Sequence, residues 1–151
     1  ADVLSKLTGI KIASLTRIGK PESIPPKKYL KLYNESLSHF ANQEFDEAFL
    51  GFRKLVSSNK ADKYSDNSQY WLAECYYYKK DFETAIIEYE KVLIYMDTDK
   101  YDDSQFKIGL SYQNMGKIDK AREYFQRIID KYPNGEYYGK ATEQVKQLSI
   151  E

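Results

Sequence analysis

The side chains best suited to catalysis are few in this sequence, and no pattern joins them. His39 is the only histidine and Cys75 the only cysteine. Neither has the nucleophile, base and orienting group that acyl or group transfer requires. A cysteine with no basic residue beside it keeps its proton and packs as a small apolar side chain. We therefore predict no catalytic residue and no cofactor, and a protein that is not an enzyme.

One acidic stretch could in principle bind a cation. It reads DTDKYDD and spans residues 97–103. A calcium loop places oxygen ligands at alternate positions and then a glycine, but Tyr101 and Asp102 stand at those places. Acidic residues also favour the start of a helix, where Asp caps free N–H groups and meets the positive end of the helix dipole. We interpret the stretch as a helix start and predict no metal site.

Charge and composition exclude further classes of function. The 151 residues include 23 Lys and Arg against 23 Asp and Glu, so the formal net charge is zero. Nucleic-acid-binding proteins usually carry a basic excess or a basic stripe, and neither is present. The apolar runs are too short for a membrane span. These features predict one globular domain that binds neither nucleic acid nor the membrane interior.

The remaining signal is a repeat that begins at Tyr29. Ala48, Ala85 and Ala121 lie 37 and 36 residues apart. Relative to each alanine, a small residue lies twelve positions earlier and an apolar residue lies three positions earlier. An aromatic residue lies four positions later, and an aliphatic residue lies seven positions later. These positions are Ser36, Ala73 and Gly109; Phe45, Phe82 and Ile118; Phe52, Tyr89 and Phe125; Leu55, Val92 and Ile128. A fixed period of this length indicates stacked structural repeats.

Each unit contains two helical stretches joined by a short polar break, so the predicted fold is all-α. The repeats span about 29–64, 65–101 and 102–135. A final helix at 136–150 caps the stack with Tyr138, Ala141, Val145 and Leu148 on one stripe. Residues 1–28 are predicted to form an apolar segment and an extended, proline-rich linker. We expect helices at 30–41, 45–58, 65–79, 82–95, 101–115, 118–131 and 136–149.

The units resemble the tetratricopeptide repeat family. The third carries Ile108–Gly109, Tyr112, Ala121, Phe125 and Pro133 in the family's register. The resemblance implies a solenoid of three helix-turn-helix repeats that binds other proteins. The stretches YWLAECYYYKKDFETAIIEYEKVL and KYPNGEYYGKATEQVKQL are similar to bacterial envelope members, including the periplasmic protein of the Tol–Pal system. That similarity implies a periplasmic location, with a cytoplasmic one as the alternative.

First helices of successive repeats line the concave face in this family, so the resemblance also implies a partner-binding groove. About half of its stripe is expected to pack between neighbouring repeats instead. Chaperone-binding members use Lys, Arg and Asn in this groove, whereas the stripe here is mostly aromatic or apolar. Its members are Tyr33, Leu37 and Phe40; Tyr70, Glu74 and Tyr77; Phe106, Leu110 and Gln113; with Tyr78 and Asn114 beside them.

Three functional hypotheses follow from this groove. The first is an interaction module or scaffold that holds a partner peptide or helix, in a bacterial envelope complex. The second is a structural protein that self-assembles into a homo-oligomer, with the N-terminal segment of one copy docked in the groove of the next. The third is a cytosolic co-chaperone-type adaptor, which the shortage of basic groove residues disfavours.

Overall fold

The computed structural model describes residues 23–58 and 63–150, which fold into seven α-helices with no strand. The apolar segment predicted over residues 1–18 lies outside this part of the chain. The all-α prediction is confirmed, and most helix ends fall close to their predicted positions. The helices are α1 (Pro26–Ala41), α2 (Phe45–Ser57), α3 (Ser65–Tyr78), α4 (Phe82–Val92), α5 (Tyr101–Asn114), α6 (Ile118–Lys131) and α7 (Tyr138–Ile150).

The first helix begins earlier than the sequence suggested. Pro25 precedes it and Pro26 lies in its first turn. The first turn needs no backbone N–H from proline, and the fixed φ of the ring suits a helix. The Tyr29 N–H already donates to the Pro25 carbonyl at 2.9 Å. Residues 26–28 therefore belong to the helix rather than to an extended linker.

The two helices of each repeat are joined by the same tight turn. Its central residue has a left-handed backbone conformation in all three copies: Gln43 at φ 61°, Lys80 at φ 65° and Gly116 at φ 75°. The next N–H bonds back to a carbonyl five residues earlier, which closes the end of the first helix. These bonds run from Glu44 to His39 at 2.9 Å, from Asp81 to Tyr76 at 3.0 Å and from Lys117 to Tyr112 at 2.9 Å.

The repeated positions form the core. Ala48, Ala85 and Ala121 are fully buried, and each helix packs against the next one along the chain. A Cβ added at Gly109 would come within 2.6 Å of the Phe125 ring, so the absence of a side chain lets α5 and α6 approach closely. The result is a solenoid of three helical hairpins closed by α7. The aromatic and aliphatic members of the core are Phe52, Tyr89 and Phe125, and Leu55, Val92 and Ile128.

The capping helix differs from the sequence prediction at its first residue. Ala141 and Leu148 are buried as predicted, but Tyr138 is 39% exposed. Tyr137, one residue earlier, takes the predicted inward place: its ring centroid lies 5.0 Å from that of Phe106. Its hydroxyl donates to the Asp103 carboxylate. The Tyr137 ring reaches α5 from the residue just before α7.

The start of α5 also needs a correction. The residue that precedes the helix is Lys100, and no side chain caps the helix there. Asp102 and Asp103 lie inside the first turn, where their charge still meets the positive end of the helix dipole. Burial, followed by the charge of Asp103, raises the pKa of Asp102. The acidic stretch thus favours the helix start through the dipole and not through an N-cap hydrogen bond.

Candidate functional site

The two reactive side chains are both held by structural contacts. Cys75 is fully buried, and burial raises the pKa of its thiol to about 12. The His39 Nδ1 atom lies 3.1 Å from Glu44 Oε2, beside the turn that joins α1 to α2. Within residues 23–58 and 63–150, no group of three or more His, Cys, Asp or Glu could hold a metal ion. None of the helices in those ranges has the length and apolar character that crossing a membrane requires.

Four members of the predicted groove stripe are buried. Tyr33 and Tyr70 are each 7% exposed, Phe106 is 8% exposed and Glu74 is 4% exposed. Tyr33 stacks on Tyr64 with the ring centroids 5.1 Å apart. Phe106 tilts against the core ring of Phe125 at 5.4 Å. These four of the nine stripe residues pack between helices.

The two residues that were predicted beside the stripe reach the surface. Tyr78 is 48% exposed, and Asn114 is also exposed. The side chains between these extremes are half-buried: Leu37, Phe40, Tyr77, Leu110 and Gln113. Because these residues come from α1, α3 and α5, the accessible part of the predicted groove still crosses all three repeats.

Five rings form a cluster on this surface: Phe40, Phe45, Trp71, Tyr77 and Tyr78, called the aromatic cluster below. Tyr78 is its centre. The Tyr78 ring stacks on Phe45 at 5.5 Å with the planes 9° apart. It meets Phe40 edge-on at 5.5 Å and Tyr77 edge-on at 5.3 Å. Phe40 in turn contacts Trp71 at 5.0 Å, so the cluster joins the first repeat to the second.

Lys107 of α5 borders the aromatic cluster on the side of the third repeat. Its ammonium lies 4.1 Å from the Tyr77 ring centroid and 4.9 Å from that of Tyr78, a cation–π arrangement. The same ammonium lies 3.5 Å from Glu74 Oε1. Tyr89 donates its hydroxyl to Glu74 Oε1 at 2.5 Å. Burial, then the charge of Glu74, raises the pKa of Tyr89 well above its usual value, so this hydroxyl stays protonated.

Polar groups at the end of α5 complete the surface. Asn114 Nδ2 donates to the Leu110 carbonyl at 2.8 Å and reaches the Tyr77 hydroxyl at 3.4 Å. Gln113 Oε1 is buried and has no hydrogen-bond partner among the described residues. A partner lying here would meet aromatic faces flanked by amide groups and one paired lysine.

Sequence reasoning missed Phe45, Trp71 and Lys107 as members of this surface. Phe45 belongs to the repeat pattern only as an apolar position, and it is half-buried. Trp71 and Lys107 each stand two positions before the small residue of their repeat. Aligning the repeats at Ala73 and Gly109 would therefore have placed both side chains at the same register of adjacent first helices.

The comparison with known families concerns the second and third units. Residues 67–94 and 103–135 match the family model of the tetratricopeptide repeat. The match supports the resemblance of this chain to the tetratricopeptide repeat family. Together the two matched stretches hold the second and third copies of the core alanine and its following ring. No curated protein sequence matches this chain significantly.

Solved structures share the fold at low sequence identity. The first TPR of Spaghetti (RPAP3) bound to HSP90 peptide SRMEEVD is 20% identical, with a TM-score of 0.68 over 84% of this chain and 94% of that one. PcrH from Pseudomonas aeruginosa is 17% identical, with a TM-score of 0.71 over 85% and 96%. The type III secretion translocator chaperone SycD of Yersinia enterocolitica is 17% identical, with a TM-score of 0.68 over 85% and 88%. At these identities the likeness shows the fold alone.

Proposed function

We propose that this chain is a protein–protein interaction module whose aromatic cluster holds an apolar segment of a partner peptide or helix. One observation carries the proposal: Tyr78 is 48% exposed although three other rings fix its orientation. An exposed ring held in this way offers apolar contact area without a large loss of side-chain freedom on binding.

The physical case is one of preorganisation. Aromatic side chains that lie at the centre of an interface commonly supply much of its binding energy. Phe40 and Tyr77 flank Tyr78 and are half-buried, so a partner that covers Tyr78 would also bury the open edges of both rings. Lys107, whose ammonium lies against the Tyr77 and Tyr78 rings, is already paired with Glu74, and shape and apolar contact would therefore dominate the affinity.

Proteins with this fold support the part of the proposal that concerns peptide binding. The first TPR of Spaghetti (RPAP3) is solved with an HSP90 peptide bound, and SycD is named as a translocator chaperone. A tetratricopeptide repeat stack of this size can thus hold a peptide. The aromatic cluster of the present chain favours an apolar segment of the partner.

The test is a selection of random displayed peptides on the full chain. Peptides enriched by the wild type should lose affinity for Tyr78→Ala and keep it for Tyr138→Ala. Tyr138 is a suitable control because it is 39% exposed and lies on α7, outside the aromatic cluster. Equal affinity of both variants for the selected peptides would contradict the proposal, as would a failure of the wild type to enrich any sequence.

We further propose a place in a bacterial envelope complex, on the periplasmic side. The support is the similarity of residues 70–93 and 131–148 to envelope tetratricopeptide proteins. The measurement is fractionation of cells that express the protein from its own reading frame, beside periplasmic and cytoplasmic markers. Recovery with the cytoplasmic marker would contradict this location.

Self-assembly is the alternative use of the same surface. Residues 1–18 contain seven aliphatic side chains, which are Val3, Leu4, Leu7, Ile10, Ile12, Leu15 and Ile18. Light scattering on the full chain and on a variant without residues 1–18 separates the two uses. An interaction module should be monomeric in both forms. Segment exchange predicts that the full chain is an oligomer and that the deletion of residues 1–18 dissociates it.

A further inference from the structure

The ion pair of Glu74 and Lys107 lies beside the aromatic cluster, and Glu74 is unusual for its position in the repeat. Glu74 follows the small residue of its repeat by one position, and the same register holds Leu37 in the first repeat and Leu110 in the third. Only in the second repeat does this register carry a charged residue, and the Glu74 carboxylate is almost completely buried. The fold accepts leucine there, so packing does not require the acid.

A buried carboxylate is costly unless a cation and hydrogen bonds compensate it, and such pairs often add little to stability. Glu74 has both forms of compensation, from Lys107 and from the Tyr89 hydroxyl. The pair is therefore better explained by what it does to the surface than by what it adds to the free energy of unfolding.

Lys107 would be an anion site without its partner. Its side chain is 18% exposed, and its ammonium faces the rings of Tyr77 and Tyr78 on the open side of α3. A lysine ammonium among aromatic faces attracts carboxylates, because little water competes for its charge. The Glu74 carboxylate already lies 3.5 Å from that ammonium.

We infer that Glu74 is a specificity-determining residue that neutralises Lys107 and thereby excludes carboxylates from the surface beside Tyr77 and Tyr78. This inference rests on the proposed function, because it states which partners the same surface accepts. A segment bound there carries apolar or neutral polar side chains at this point. Neither an acidic side chain nor a chain-terminal carboxylate fits, since each would have to displace Glu74 from Lys107.

The experiment uses small probes, so that its result does not depend on any partner. N-acetylalanine supplies a terminal carboxylate, N-acetylaspartate diamide supplies none, and N-acetylaspartate α-amide supplies a side-chain carboxylate. Each is titrated into the full chain labelled at tyrosine, and the ring signals of Tyr77 and Tyr78 are followed by NMR. The wild type should respond no more strongly to the carboxylates than to the neutral diamide.

Glu74→Gln should reverse this outcome. It leaves Lys107 without a counter-ion, so both carboxylates should bind about tenfold more tightly than they do to the wild type. Glu74→Leu is the second variant, because the other repeats carry leucine at this register. Adding Lys107→Gln to either variant should abolish the gain. The control Glu83→Gln removes an exposed carboxylate of α4 and should behave as wild type.

Two results would overturn the inference. The first is a wild type that binds carboxylates as tightly as the Glu74 variants, because the pair would then exclude nothing. The second is a set of Glu74 variants that fold and bind no carboxylate, because Lys107 would then not be an anion site. Either result can occur with a working peptide surface, and the peptide selection can fail while the probes behave as expected.

Discussion

Two sets of positions recur at fixed register in the three repeats, and they differ in how much their chemistry varies. The first set holds the core: alanine is buried at Ala48, Ala85 and Ala121, and an aromatic ring follows each by four positions. The second set lies on the first helices and changes from repeat to repeat, as Phe40, Tyr77 and Gln113 show. Constant positions maintain the fold, and we infer that the variable and accessible ones select the partner.

The largest expected effect tests where the boundary between the two sets lies. Phe106 belongs to the variable stripe, yet it is 8% exposed and packs between Phe125 and Tyr137. Phe106→Ala should lower the free energy of unfolding by about 3 kcal/mol or more, because it leaves a cavity that the helices cannot close. Chemical denaturation measures this loss. An unchanged midpoint would place Phe106 with the exposed half of the stripe.

A smaller loss is expected at the small residues that let paired helices approach closely. Gly109→Val should cost about 2 kcal/mol, because the new side chain overlaps the Phe125 ring and overpacking strains a close helix contact. Ala85→Leu should behave similarly, since Ala85 is fully buried. The matched control is Gly139→Val, where an added Cβ meets nothing within 4 Å. Thermal melts that do not distinguish Gly109→Val from Gly139→Val would contradict the assigned repeat register.

The smallest expected effect lies in the turns between paired helices. Lys80 adopts φ 65°, a conformation that costs a residue with a side chain more than it costs glycine. Lys80→Gly should therefore raise the free energy of unfolding by about 1 kcal/mol, and Gly116→Ala should lower it by a similar amount. Denaturation curves check both. Opposite signs would mean that the three turns are not equivalent.

Much of the fold could be predicted from the sequence because the same pattern of residues occurs three times. The register of Ala48, Ala85 and Ala121 sufficed to place six helices and their buried stripes. The position of Tyr138 could not be settled in the same way. Only one capping helix exists in the described chain, and adjacent tyrosines at 137 and 138 fit its periodicity almost equally well.

The candidate site was less predictable because its contacts join residues distant in sequence. The predicted groove was expected to contain both packing and accessible residues, but only helix packing decides that Tyr33 and Tyr70 are covered while Tyr78 is not. Glu74 and Lys107 lie 33 positions apart, and the pair forms only because side chains of α3 and α5 meet across the stack. Neither residue alone carries a signal for such a contact.

The central claim is that the accessible part of the predicted groove binds a partner and the buried part stabilises the fold, and one paired measurement tests it most directly. A peptide selected on the wild type is titrated by calorimetry into Tyr78→Ala and Tyr70→Ala, and the unfolding of both variants is followed. Tyr78→Ala should lose about 2 kcal/mol of binding free energy, roughly thirtyfold in affinity, and it should lose less stability than Tyr70→Ala, although its three ring contacts make some loss expected. Tyr70→Ala should unfold at a lower denaturant concentration. A Tyr78→Ala variant that binds normally, or that loses as much stability as Tyr70→Ala, would contradict the account.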